Sequence, residues 1–342
     1  MSVKINERFA KVRVSNWVMN NAIYLVLLLL LIVIIAISPD FISFRNFKNI
    51  IAQASTRIIM ALGVGMIIIT KGTDLSLGRQ VGLAAVMSAS MLQAESYIYR
   101  MYPDLPVLPI FIPIIIVMLV CAFFSSINGF VVAKLHVDPF IATLGMMVIV
   151  YGVNSIYYDR PPYGAQPIGG LDDKFKEFAQ GSITIGSFDL PYLIIYAAIV
   201  TFIIWVLLKK TKFGKNIYAI GGNKEAALVS GVNVTKYTIL VFAVAGLLYG
   251  LGGALEAARI GSATNNTGNM YELDAISACI VGGLSFDGGV GSVSGIVIGV
   301  LIFQVIAYGL SFIGVNAYLQ YIVKGLIIIT AVAIDSRKYG KR

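Results

Sequence analysis

Ten mostly apolar stretches follow one another along this chain, at about 20–37, 50–69, 79–93, 109–133, 140–158, 191–208, 237–256, 273–285, 292–313 and 317–334. Roughly 20 apolar residues carry a helix across a hydrocarbon core. A lipid-exposed segment must satisfy its backbone hydrogen bonds internally or in a closed barrel. The pattern predicts an all-α fold, a polytopic transmembrane helical bundle of about ten spans. Two stretches, 79–93 and 273–285, are short enough to be half-helices, so the count runs from eight to ten. Residues 1–19 read as a cytoplasmic amino-terminal segment, 20–334 as the membrane domain and 335–342 as a cytoplasmic tail. The first stretch is followed by Ser38-Pro39-Asp40-Phe41 rather than a small-residue cleavage site, so it is expected to remain as a span. Only 13% of the 342 residues are charged, about half the share usual in soluble domains.

The formal charge of +9 is placed where topology uses it. Lys and Arg gather at the amino terminus, in the 209–215 segment and at the carboxy terminus, while 159–190 holds five acids against three bases. By the positive-inside rule both termini and residues 209–236 are expected in the cytoplasm, and the 159–190 loop on the periplasmic side. This distribution is topogenic and points to a bilayer, not to nucleic acid.

Residues 209–234, KKTKFGKNIYAIGGNKEAALVSGVNV, form the long polar break on the basic side. Asn223 can cap a short helix with Glu225, Ala226 and Ala227 in its first turns, ended by Gly231. Such a surface helix suits a rigid mechanical contact; an ordinary connecting loop is the plainer alternative. Two other breaks resemble each other. Residues 70–82 (TKGTDLSLGRQVG) and 261–275 (GSATNNTGNMYELDA) each follow a glycine-containing span and lead into a short apolar run. With ten spans they fall on opposite sides, as an inverted repeat of roughly 50–158 against 237–334 would place them.

Ionisable groups at membrane depth are costly and mark either structural pairs or solute paths. Asp74, Ser76, Arg79, Asn154, Asn266, Glu272 and Asp274 are the candidates for translocation or gating, with capping of half-helices as the competing role for the carboxylates. Glu256, Arg259 and Asp287 are further ionisable groups of this kind. The neutral side chains of Gln53, Thr70, Asn128, Thr143, Tyr157 and Gln304 suit an uncharged, hydroxyl-rich solute, and suit interhelical hydrogen bonding equally. The spacings Gly246/Gly250, Gly291/Gly295 and Gly295/Gly299 allow close helix approach. Catalysis has no support. His136 stands alone in a turn, Cys121 and Cys279 lie inside apolar runs as small hydrophobes, and no P-loop pattern is present. No metal site and no cofactor are expected in this chain, and its energy must come from an ion gradient or a partner.

Four blocks carry a resemblance: GTDLSLGRQVGLAAV (72–86), VDPFIATLG (137–145), TKFGKNIYAIGGNKEAALVSGVNV (211–234) and MYELDAISACIVGGLSFDGGVGSVSG (270–295). In this order they resemble the permease of the ribose/galactose class of bacterial ABC sugar importers, from about residue 20 to the carboxy terminus. The Gly-Thr-Asp-Leu-Ser form leans toward the galactose/methyl-galactoside members. The resemblance implies an inner-membrane homodimer with a cytoplasmic tandem-domain sugar ATPase, which holds ATP and magnesium, and an extracytoplasmic sugar-binding protein. It places ATPase coupling at Gly222, Asn223, Glu225, Ala226, Ala227, Ser230 and Gly231. An ion-coupled secondary carrier, or an importer of ribose or another pentose or hexose, are the alternatives.

Overall fold

The computed structural model describes residues 25–159, 164–186 and 188–339; the expected 1–19 segment lies outside them. Among the described residues six helices are long and apolar enough to cross a membrane: α2 (Phe44–Ile69), α4 (Phe111–Lys134), α5 (Pro139–Tyr158), α7 (Tyr192–Lys210), α10 (Val234–Ile260) and α12 (Val293–Phe312). Shorter apolar helices flank them, α1 (Leu25–Ile37) and the Ala317–Thr330 part of α13 (Ala317–Tyr339). The helix of α13 runs on through residues expected to form the tail. Two short helices complete the membrane set, α3 (Leu77–Met91) and α11 (Tyr271–Val281). Outside it lie α6 (Asp173–Gln180), α8 (Lys212–Gly222), α9 (Lys224–Val229) and a hairpin of β1 (Ser182–Ile185) and β2 (Phe188–Pro191), which apolar patterning did not foresee.

Local chemistry sets several boundaries. Ser43, Asp138, Asn233 and Ser292 each accept a backbone N–H of the helix that follows, which extends α2 and α10 beyond the apolar runs. Pro139 sits in the first turn of α5, where its missing N–H costs nothing. Gly261 ends α10 in the left-handed conformation, at φ +82°.

The helices alternate between a basic end, carrying Lys209, Lys210, α8 and α9, and an acidic end formed by the 164–190 region. Central positions belong to α2 and α10. Their apolar windows are 78% and 67% buried, against 22–33% for α4, α5 and α7, which leave apolar faces for lipid. Glycines allow the close packing: a Cβ at Gly246 or Gly250 would strike the α4 backbone at Cys121 or Met118, and one at Gly295 or Gly299 would strike Gly282 or Ala278.

At about 1.5 Å per residue, α3 and α11 are too short to cross a ~30 Å core as helices. Non-helical chain makes up the difference. After α2 reaches the basic end, residues 70–76 re-enter the bundle and α3 climbs to the acidic end, where Gln93 bridges to Leu171. After α10 reaches the acidic end, where Ala263 bridges to Ile168, residues 261–270 re-enter and α11 descends to the basic end. The series α2–α3–α4–α5 and α10–α11–α12–α13 therefore run in opposite directions, the order expected of an inverted repeat.

Candidate functional site

The second re-entrant connection, 261–270, packs against α3. Gly268 packs against Gly78 and Gly82, and Thr267 covers Gly82 so closely that a Cβ would collide with its carbonyl oxygen. Only glycine lets the loop approach this near. Arg79 donates to Asn269 Oδ1 at 2.7 Å and stacks on Tyr151, its guanidinium carbon 4.4 Å from the ring centre. Asn154, fully buried on α5, donates to the Asn265 carbonyl at 3.4 Å. Glu272 lies against Gly78, within the field of the Arg79 charge. Arg79, Asn154 and Glu272 thus share one locus around 264–270. The buried Arg79 Nη1 and Asn154 Oδ1 have no protein partner there. Asn266 is exposed at the loop's edge.

Asp74 and Ser76 belong to a second, wholly buried network on the other side of α3. Asp74 Oδ1 accepts from Ser76 N at 2.9 Å and from Ser76 Oγ at 2.5 Å. Ser76 Oγ accepts from Gln80 at 2.8 Å and from Asn128 at 3.0 Å, and Ser125 donates to Gln80 Oε1 at 3.0 Å. The Tyr249 hydroxyl of α10 lies beside the same carboxylate. Ser76 occupies the cap position of α3 without a side-chain cap bond, so Asp74 braces the turn before the helix instead of capping it. Glu272 and Asp274 sit in the first turn of α11, the end of the helix dipole that favours acids. Asp274 points away from the shared locus, to Lys324 of α13 at 2.9 Å.

A third cluster joins α2, α10 and α11. Glu256 is fully buried and receives Arg259 through two bonds of 2.9 and 3.1 Å, Tyr271 at 2.9 Å and Thr56 at 2.9 Å. Arg57 stands 4.0 Å from the same carboxylate and covers the Tyr271 ring. Sequence reasoning marked Glu256 and Arg259 but missed Arg57, Gln80 and Tyr249. A cation or amide inside an apolar run was the one available signal for the first two; a tyrosine inside a span gives none.

At the basic end the 209–236 segment folds into α8 and α9. Asn223 caps α9 through a 2.9 Å bond to Ala226 N, and Gly231 follows with φ +83°. Gly222, Asn223, Glu225, Ala226, Ser230 and Gly231 are exposed. Ala227 is buried against Ile220 and Val234, where it seats the helix rather than presenting a surface. Leu228 and Val229, which sequence reasoning passed over, are 63% and 89% exposed. A cavity of about 590 Å³ lies behind α9, lined by Lys71, His136, Asp138, Gly222 and Glu225 among others. Burial raises the Tyr218 phenol above its ordinary range. At the acidic end, the hydrogen bond from Lys176 holds the Asp173 carboxyl below its own. Among the described residues no group of three or more His, Cys, Asp or Glu side chains could hold a metal ion.

Residues 46–332 match the family described as branched-chain amino acid transport system / permease component. The chain is 57% identical over 322 residues to the galactose/methyl galactoside import permease protein of Haemophilus influenzae, covering 94% of this chain and 95% of that one. Against the protein of the same description from Salmonella typhimurium it is 56% identical over 326 residues, covering 95% and 96%. Against the ribose import permease protein of Haemophilus influenzae it is 37% identical over 325 residues, covering 95% of each. No solved structure matches.

Proposed function

Because the chain belongs to the branched-chain amino acid transport system / permease component family, we propose that it is the membrane permease of an ATP-driven importer of galactose and methyl galactosides. One observation carries the choice of sugar: over nearly the same span, identity is 57% to a galactose/methyl galactoside permease and 37% to a ribose permease. The chain is a permease and not an enzyme. Its sequence carries no P-loop, so ATP and magnesium belong on a separate ATPase. The exposed face of α9, with Glu225, Ala226 and Ser230 beside Leu228 and Val229, is the docking surface for that ATPase. Its apolar side chains are rimmed by polar ones, as at a protein interface.

A sugar-binding protein delivers solute at the acidic end, which faces the periplasm, and both termini lie in the cytoplasm with α8 and α9. Two permease copies form the path, rocking between two conformations that ATP binding biases. The Arg79, Asn154 and Glu272 locus supports a role in passage. Its buried polar atoms without protein partners call for water or solute, and exchangeable hydrogen bonds pass a neutral, hydroxyl-rich molecule without trapping it.

Reconstitution in proteoliposomes tests the reading. Uptake of labelled galactose, competed by methyl galactoside more strongly than by ribose, should require the ATPase, internal ATP and the external binding protein together. Uptake by the chain alone under an ion gradient would replace the reading with a secondary carrier. Stronger competition by ribose would correct the sugar.

A further inference from the structure

We infer that the junction of Ile69, Gly221 and Gly289 transmits force from the ATPase-facing helices into both re-entrant helices at once, with Tyr218 as its positioning residue. The inference rests on the permease reading above. Three separate pieces of chain meet there through their backbones. Gly289 N donates to the Ile69 carbonyl at 2.8 Å, joining the exit from α11 to the end of α2. Gly221, in the last turn of α8, lies so close that a Cβ would collide with the Ile69 carbonyl oxygen. A Cβ at Gly289 would stand 2.8 Å from Gly222 Cα, and one at Gly288 would stand 2.7 Å from the Gly221 carbonyl oxygen and 2.8 Å from Lys71 Cβ. Gly288 and Gly289 also have φ of +78° and +69°, which glycine adopts without strain. Tyr218 closes the arrangement, its hydroxyl donating to the Gly291 carbonyl at 2.9 Å.

This packing differs from side-chain contact in what it can transmit. Flexible side chains yield by changing rotamer, whereas backbone against backbone has no such slack, and displacement of α8 must move what it touches. What it touches is paired by the fold. Ile69 to Gly72 leads into the 70–76 connection and α3, while Gly288 to Gly291 joins α11 to α12. A displacement that starts at α9 therefore reaches the connection before the first half-helix and the connection after the second through one point.

Sugar moved per ATP hydrolysed, measured in proteoliposomes with ATPase and binding protein, separates transmission from plain support. Gly221→Ala should lower this ratio by roughly tenfold, within the range of ordinary coupling between sites, while hydrolysis continues. Tyr218→Phe removes only a hydroxyl and keeps the fold. It should lower the ratio several-fold, with ATPase copurification unchanged, and decides the matter if the glycine variant does not assemble. An unchanged ratio in Tyr218→Phe together with Gly221→Ala that either keeps the ratio or does not assemble overturns the inference, as does an equal fall of transport and hydrolysis in an intact complex. A wild-type complex that hydrolyses ATP without importing sugar removes the permease reading itself, and the inference with it.

Discussion

The connections after α2 and after α10 perform the same task, returning a long helix into the bundle as a short one, yet they hold their short helices by different chemistry. Around α3 the fastening is a chain of neutral donors converging on one carboxylate, Asp74, with Ser76, Gln80, Ser125 and Asn128 all essentially inaccessible. Around α11 the fastening is ionic. Tyr271 is tied into the Glu256, Arg259 and Arg57 cluster, and Asp274 reaches Lys324. That last pair is 22% exposed on both sides, so water can compete for it. One topology thus tolerates two fastenings: a dry hydrogen-bond lattice that resists change and an ionic one whose outer pair can open.

The largest effect is expected at Glu256. Glu256→Ala leaves two arginines without their buried counter-charge, a loss of about 3–5 kcal/mol, and should abolish the monodisperse peak of the detergent-solubilised protein. A variant that elutes and melts like the wild type would show that the ionic cluster does not hold α11. Next comes Asp74→Ala, which strips the acceptor from Ser76 N and Oγ at about 1–3 kcal/mol for each buried group left unpaired. Its melting temperature should fall well below that of Asp74→Asn, which retains an acceptor oxygen. Equal melting of the two would mean that Asp74 matters for its charge and not as a brace. The smallest effect belongs to Lys324→Gln, since a partly exposed pair contributes about 0–1 kcal/mol. The wild type should lose a similar increment on raising salt, and the variant should not. A salt response that survives in Lys324→Gln would place the ionic sensitivity elsewhere.

Much of the fold was legible in the chain. Apolar runs at 140–158, 191–208 and 292–313 return as helices shifted by only one or two residues. The runs at 50–69 and 237–256 understate α2 and α10, because capped polar turns carry helix past the apolar stretch. Glycine and small polar residues at 70–76 and 261–270 announced both breaks, and Asn223 announced α9. The site was less legible. Of the residues singled out, Arg79, Asn154 and Glu272 come together, Asp74 and Ser76 join a different network, Asp274 turns to α13 and Asn266 stays at the surface. Thr56 and Glu256 are 200 residues apart, and no local pattern pairs them.

By itself the sequence determined that this protein lives in a bilayer, which ends of its helices carry positive charge, where the helices break and which short helix stands apart at the basic end. These follow from transfer free energy, backbone hydrogen bonding and glycine geometry, which act over a few neighbouring residues. Only the tertiary structure decided which carboxylate meets which cation, that two half-helices share one locus, and that α8 meets the end of α2 and the α11–α12 connection through bare backbone. Such pairings depend on how distant segments approach in three dimensions, and the sum of many weak packing terms sets that approach.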